Sequence, residues 1–254
     1  MVAHLHATLS ERFKLTGGDP IEKSGYLNMT TERNVPERTM TIGQETLIES
    51  LTEVWPDLPE GRTRSTTLPS DADAQFARPV QDLGQLSKVD HGKYRTAVGI
   101  MLYVSARSRP ETACAVSKLS RYLQSPTIAH LNGARHLAEC LYCTKHYRMV
   151  FQAHQPGSKD LVAAYADSDF AGEHELRRST TGSVVTYFGC PVITRSRLQT
   201  LTARHSTHAE IVAASATAAE VEFVRNLSSE WGFHPTSASP IYEDNDGARL
   251  SSLT

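Results

Sequence analysis

Apolar and polar positions along this chain change rhythm several times. Residues 25–32 and 39–42 alternate like short strands, parted by Asn34 and Pro36, which predicts a hairpin. From 44 to 55, Leu47, Ile48, Leu51 and Val54 fall on one helical face that Pro56 ends. Pro56, Pro59, Pro69 and Pro79 then interrupt a Ser/Thr/Asp-rich stretch without periodicity, which suits a linker or a long loop. Helical spacing returns after Tyr94 with Val98, Met101 and Ser105. It starts again behind Pro110 with Ala113, Val116, Leu119 and Leu123, and a third time over 128–142.

Past Gly157 the rhythm becomes mixed α/β. A strand over 161–166 runs into acidic residues. Strands over 182–188 and 192–196 pair around Gly189, Cys190 and Pro191. A long Ala-rich helix follows over 206–231, with Ile211, Ala214, Ala218, Val221, Val224 and Ser228 in register and Gly232 as its stop. A short strand over 240–243 and a helix start at Asn245 close the pattern. The expected organisation is a β-hairpin and helix (1–55), a linker (56–90), a helical unit (91–157) and an α/β domain with a mixed, partly antiparallel sheet (158–254).

Composition adds bounds. Hydrophobic residues make up 39% and charged residues 21% of 254 residues, an ordinary globular balance. No apolar run approaches the roughly 20 residues of a membrane span, and the N-terminus has no basic segment leading into an apolar one. Four cysteines, Cys114, Cys140, Cys143 and Cys190, do not make a disulfide framework at this length, so an intracellular setting, cytoplasmic or nuclear, is expected. Net charge is −2, but its distribution is uneven. Between His91 and Val150 nine cationic residues (Lys93, Arg95, Arg107, Arg109, Lys118, Arg121, Arg135, Lys145, Arg148) face two acids, Glu111 and Glu139, a local +7. Such a block suits either a nucleic-acid backbone, with Lys93, Arg95, Arg107, Arg109, Lys118 and Arg121 as candidate contacts, or a solvated helical face.

Three carboxylates stand on three elements: Asp167 at a strand end, Glu210 in the first turns of the long helix and Asp244 behind the last strand. Acids so placed can converge on Mg²⁺ or Mn²⁺, hard cations that take oxygen ligands. Two such ions can clamp the attacking water and leaving oxygen of a phosphodiester. Acids also commonly cap helices and end strands, which is the competing account. His136, Cys140, Cys143 and His146 resemble zinc ligands, but on one helix they line a single face, and a tetrahedral site needs several directions. His205 and His208 lack the five-residue spacing of a zinc-protease helix.

The order Y-A-D-S-D-F-A-G (165–172), R-R-S-T-T-G-S-V-V-T-Y-F-G (177–189), S-T-H-A-E (206–210) and Asp244-Asn245 resembles the ribonuclease H domain of copia-type LTR retrotransposon polyproteins. Residues 94–123 resemble the connection between polymerase and nuclease in those proteins, and 39–44 with the next helix resemble the end of the reverse transcriptase palm and the start of the thumb. The resemblance spans most of 20–254 in collinear order. It implies a ribonuclease H-like fold preceded by a helical connection and a reverse transcriptase remnant, and two-metal hydrolysis of the RNA strand of an RNA–DNA hybrid. Asp167, Glu210 and Asp244 match the family's catalytic acids, and Asp169 matches a supporting one. His208 stands where the motif usually carries another Glu. A fourth family carboxylate would lie beyond Thr254 and the polymerase aspartates before Met1. The expectation is therefore a truncated domain of weakened activity, without polymerase function, whose open edge along 240–243 invites self-association. The alternative is an inactive remnant that only binds nucleic acid.

Overall fold

The computed structural model describes residues 23–61, 64–77, 84–152, 161–173 and 177–251. It is a mixed α/β protein with two four-stranded sheets, seven α-helices and two 3-10 segments among the described residues.

The first sheet is an antiparallel meander, β1-β2-β3-β4. The expected single hairpin is two, because the run over 25–32 breaks in its middle. Strands β1 (Lys23–Tyr26) and β2 (Met29–Asn34) are joined by Leu27 and Asn28, both at positive φ (50° and 57°). That left-handed pair matches strand twist. Strand β3 (Thr39–Gly43) pairs on β2, and β4 (Met149–Gln152) pairs on β3 with Met40 opposite Phe151. The chain thus returns to its first sheet after more than a hundred residues.

Between β3 and β4 lies the helical unit. Helix α1 (Glu45–Glu49) runs into a 3-10 turn (Ser50–Glu53), which buries Ile48 and Leu51 completely, with Val54 and Trp55 just behind them. Helix α3 (Lys88–Arg107) starts where Ser87 Oγ accepts the Asp90 backbone N–H at 3.1 Å. Helix α4 (Ala113–Ser120) follows a 3-10 turn at Pro110–Thr112, and α5 (Ile128–Cys143) follows Thr127. One apolar cluster unites Ile48, Leu51, Tyr94, Met101, Leu119 and Leu137. The Pro-rich stretch joins that cluster, contrary to its reading as a loose linker. Leu58 is buried, and helix α2 (Ala72–Phe76) presents Ala72 and Phe76 to the core. Gly133 on α5 makes room for the Phe76 ring, since a Cβ there would stand 2.6 Å from Phe76 Cζ.

The second sheet has the order β7-β6-β5-β8. Strands β5 (Val162–Asp169), β6 (Thr180–Tyr187) and β7 (Cys190–Leu198) are antiparallel, and β8 (Ile241–Tyr242) lies parallel to β5. The β6–β7 turn falls at Phe188 and Gly189, one residue earlier than the sequence suggested; both have positive φ, and Tyr187 pairs Cys190 across it. Helix α6 (Ser206–Glu230) packs on one face, against Val162, Ala164 and Val185, through Val221 and Val224. Its inward positions are Ala209, Glu210, Ala213, Thr217, Val221, Val224 and Ser228. The expected inward positions Ile211 and Ala218 are exposed, because alanines ring the helix and leave the apolar face ambiguous. Helix α4 lies against β7. Asn245 caps the short α7 (Asp246–Ser251) by accepting the Ala248 N–H at 3.0 Å. No described helix is long and apolar enough to cross a membrane.

Candidate functional site

Strand parity decides where the acids of β5 point. Val162, Ala164 and Ala166 are buried, Val162 and Ala164 against α6, while Tyr165, Asp167 and Asp169 are exposed on the other face. The β5–β8 ladder pairs Ala164 with Ile241 and Tyr165 with Tyr242. Carrying that offset two residues onward sets Asp167 level with Asp244, and Ala166 level with Glu243. Two exposed acids, Asp167 and Asp244, thus stand at neighbouring strand ends, with Glu243 half-buried between Tyr242 and Asp244.

Glu210 reaches this place because the start of α6 is tied to the sheet. The His205 ring accepts the His208 backbone N–H at 3.1 Å and so caps the helix. Buried Gln199, just past β7, donates from Nε2 to the Ala209 carbonyl (2.9 Å) and to Thr181 Oγ1 (3.1 Å). Glu210 is consequently only 6% exposed. Burial pushes its pKa up to about 6; the Ser168 hydroxyl acts against that rise, while Glu243, Asp167 and Asp244 add to it as like charges. Burial, with the charges of Asp244 and Asp167, likewise raises Glu243, against a hydrogen bond from the Asn245 N–H that favours its charged form. The electrostatic influence of Ser168 does not amount to a completed hydrogen bond by distance, since Ser168 Oγ and Glu210 Oε2 are both buried and partnerless.

The structure thus brings Asp167, Glu210 and Asp244 within electrostatic reach of one another and adds Glu243. Among the described residues, no three of these groups sit close enough to grip a single ion together. Glu243 was legible only as the neighbour of Asp244; its inward direction depends on the β8 register. Asp169 lies on the same exposed face of β5 as Asp167 and lines a shallow cleft with it. Its carboxylate folds over Gly172, where a Cβ would stand 2.2 Å from Oδ2, and it borders a small cleft with Asp73, Lys118, Arg121 and Tyr122.

The donor chemistry suits a hard divalent cation: carboxylate oxygens, two of them buried and unpaired at Glu210 Oε2 and Glu243 Oε2. The thiols of Cys140 and Cys143 lie in α5 without a metal group among the described residues, and Cys143 Sγ donates to the Gly61 carbonyl at 2.7 Å.

The basic block does not form one open patch, which corrects the expectation for half of its candidate contacts. Arg109 is 4% exposed and donates to the Thr144 carbonyl (3.0 Å), Thr144 Oγ1 (2.7 Å) and Glu111 (2.5 Å). Lys118 pairs with Asp73 at 2.7 Å, and Arg121 donates to Thr180 Oγ1 on β6 at 3.1 Å. Arg135, Lys145 and Arg148 pair with Asp57, Glu49 and Glu32. Lys93, Arg95 and Arg107 remain on the surface, Lys93 only 3.9 Å from Asp90 and Arg107 over the Tyr103 ring.

Comparison with known proteins gives sequence relatives only. No family model matches the chain, and no solved structure matches it. The retrovirus-related Pol polyprotein from transposon TNT 1-94 of Nicotiana tabacum is 28% identical over 237 residues, 92% of this chain and 17% of that protein. The corresponding polyprotein from transposon RE1 of Arabidopsis thaliana is 31% identical over 159 residues, 63% of this chain and 11% of the polyprotein. Secreted RxLR effector protein 161 of Plasmopara viticola is 35% identical over 122 residues, 48% of this chain and 84% of that protein. The chain therefore spans about a sixth or less of the two plant polyproteins. A putative transposon Ty5-1 protein of Saccharomyces cerevisiae matches half of the chain at 33% identity. By descent, this chain is a homologue of the retrovirus-related Pol polyproteins of plant and yeast transposons.

Proposed function

We propose that residues 161–251 are a ribonuclease H-type unit of a copia-type element, hydrolysing the RNA strand of an RNA–DNA hybrid with Mg²⁺ or Mn²⁺. The observation that carries the reading is Glu210: a nine-tenths-buried carboxylate with a bare oxygen, surrounded by further acids. A folded chain does not hold such a group without compensation, because burying an unpaired charge among like charges is costly. Divalent cations remove that conflict.

Asp167, Glu210 and Asp244 would hold the ions. When bound, the ions supply Lewis-acid stabilisation of the attacking and leaving oxygens. The chain's own part is to hold the acids at that spot. Asp167 and Asp244 are fixed by adjacent strand ends, and the Ser168 backbone N–H donates to Asp167 Oδ1 at 2.8 Å, which pins one oxygen and frees the other. Glu210 is set by Gln199 and the His205 cap, and its desolvated position strengthens every charge interaction made there. The ion pairs that absorb Arg109, Lys118, Arg135, Lys145 and Arg148 count against a chain that does nothing but bind nucleic acid. Cleavage of a labelled RNA–DNA hybrid with Mg²⁺ and with Mn²⁺ tests the reading. Asp167→Asn is expected to abolish it, and cleavage that persists in chelator or in that variant overturns it.

A further inference from the structure

Four buried side-chain oxygens in and beside the second sheet have no partner among the described residues. One is Gln199 Oε1, just past β7; the other three, Ser168 Oγ on β5, Glu210 Oε2 on α6 and Glu243 Oε2 just past β8, lie around one spot. Glu243 is half-buried. Its other oxygen, Oε1, accepts the Asn245 backbone N–H at 3.2 Å, which fixes the carboxyl group and leaves Oε2 turned into the protein. Asn245 is itself held, because its side chain caps α7. One oxygen tied and one bare is the arrangement of a ligand set up before its ion arrives.

The surroundings say what kind of ligand suits these oxygens. Glu243 exerts the strongest of the charge effects on Glu210, ahead of Asp167 and Asp244, and no cationic group is among the main influences on either glutamate. A water molecule could donate to two of the bare oxygens, but it would leave two facing carboxylates uncompensated. A hard divalent cation satisfies the oxygens and the charge together. Burial separates this position from the other acids: Ser168, Glu210 and Glu243 each keep an oxygen buried here, while Asp167 and Asp244 are exposed.

We infer that Glu243 is a ligand of a divalent cation of the Mg²⁺ or Mn²⁺ class, held between Glu243 and Glu210 with the Ser168 hydroxyl as a third oxygen. This rests on the metal-dependent reading proposed for the same acids, and adds a carboxylate that the motif resemblance does not assign. It gives buried Glu210 a second, half-buried carboxylate as partner, beside the exposed Asp167 and Asp244.

The test uses the whole chain without nucleic acid. Mn²⁺ binding is followed by calorimetry and by electron paramagnetic resonance, and melting temperature is measured in chelator and in Mn²⁺. Glu243→Gln keeps the shape and removes one like charge. In chelator it is expected to melt higher than the unaltered chain; in Mn²⁺ it is expected to melt lower and to bind the ion at least tenfold more weakly. A merely structural glutamate would not give that crossing of order. Glu243→Asp keeps the charge with a shorter reach, and its Mn²⁺ affinity is expected between the two; it serves as the reporter if Glu243→Gln fails to fold. Unchanged Mn²⁺ affinity in the folded variants, or no crossing, overturns the assignment. Hybrid cleavage run in parallel separates the two readings. Cleavage that survives Glu243→Gln but not Asp167→Asn overturns the Glu243 site and leaves the nuclease. Mn²⁺ binding that depends on Glu243 in a chain that cleaves no hybrid supports the site and overturns the nuclease. An unaltered chain that binds no Mn²⁺ overturns both.

Discussion

Tyr165 and Tyr242 stack with ring centroids 5.0 Å apart and planes 23° from parallel, and the same two residues are direct partners in the β5–β8 ladder. Two residues beyond each tyrosine stands an acid, Asp167 after one and Asp244 after the other. The stack therefore sets the register of both acids, on a strand pairing only two residues long.

Tyr242→Ala should cost about 1 kcal/mol of stability in urea denaturation, the usual worth of an exposed aromatic pair. Its effect on Mn²⁺ affinity should be larger, about tenfold, because the register of Asp244 loosens. Tyr242→Phe should change neither. A Tyr242→Ala chain that binds Mn²⁺ like the unaltered one would show that β8 keeps its register without the rings.

The fit of Phe76 over Gly133 makes a second prediction. Gly133→Ala puts a methyl group into the ring and should cost about 2 kcal/mol, within the range for overpacked cores. Phe76→Leu in the same chain should recover part of that loss. Additive losses in the double variant would mean that α2 does not press on α5 in solution.

His130 gives the fold a dependence on pH. It is 2% exposed, stacked on Tyr122 at 3.8 Å, and its Nδ1 accepts the Thr127 backbone N–H at 2.9 Å, so the ring is held neutral with its proton on Nε2. Burial lowers its pKa to about 4. Between pH 4 and 6.5 the unfolded chain binds this proton and the folded chain does not. Stability from this group is therefore complete above pH 6.5 and lost as pH falls towards 4, on the order of 3 kcal/mol in all. His130→Gln should lower stability at pH 7 and flatten the slope between pH 4 and 6.5. An unchanged slope would place the titration elsewhere.

The cations divide into two groups with opposite expected phenotypes. Arg109→Ala removes a buried guanidinium with three acceptors and should cost about 3 kcal/mol in a denaturant melt. Replacing Lys93, Arg95 and Arg107 together with Ala should leave stability within about 0.5 kcal/mol, as surface changes do. In a salt titration of hybrid binding, that triple change should lower the log–log slope by about 2. Equal slopes would assign those three residues to a solvated surface.

Legibility followed local chemistry. Helices α3 and α4 were visible because Val98 and Met101, and Val116 and Leu119, repeat at helical spacing and are all buried. The inward face of α6 was not, because its sequence offers alanine on every side and puts Glu210 and Thr217 among the buried positions. The Pro-rich stretch hid Leu58 and Phe76 as core residues, since a five-residue helix is too short to show a period. Asp167, Glu210 and Asp244 could be named from their motifs, whereas the direction of Glu243 and the burial of Arg109 depend on partners far away in the chain. Charge counted along the sequence was misleading for the same reason: the acids that pair Lys118, Lys145 and Arg148 lie at Asp73, Glu49 and Glu32, outside the block.

Strand β8 holds to the sheet by two ladder positions, while β5 is paired along its whole length with β6. The acids are thus mounted on supports of unequal permanence. In hydrogen-exchange terms, the amides of β5 should open only with the whole domain, and those around 241–245 should open far more often through local fluctuation. Half of the acid cluster would then be a clasp that swings on a short hinge, closed when something of opposite charge draws it to the fixed half. Occupancy of the site would register first as slowed exchange at Tyr242, Asp244 and Asn245, well away from any change in the core.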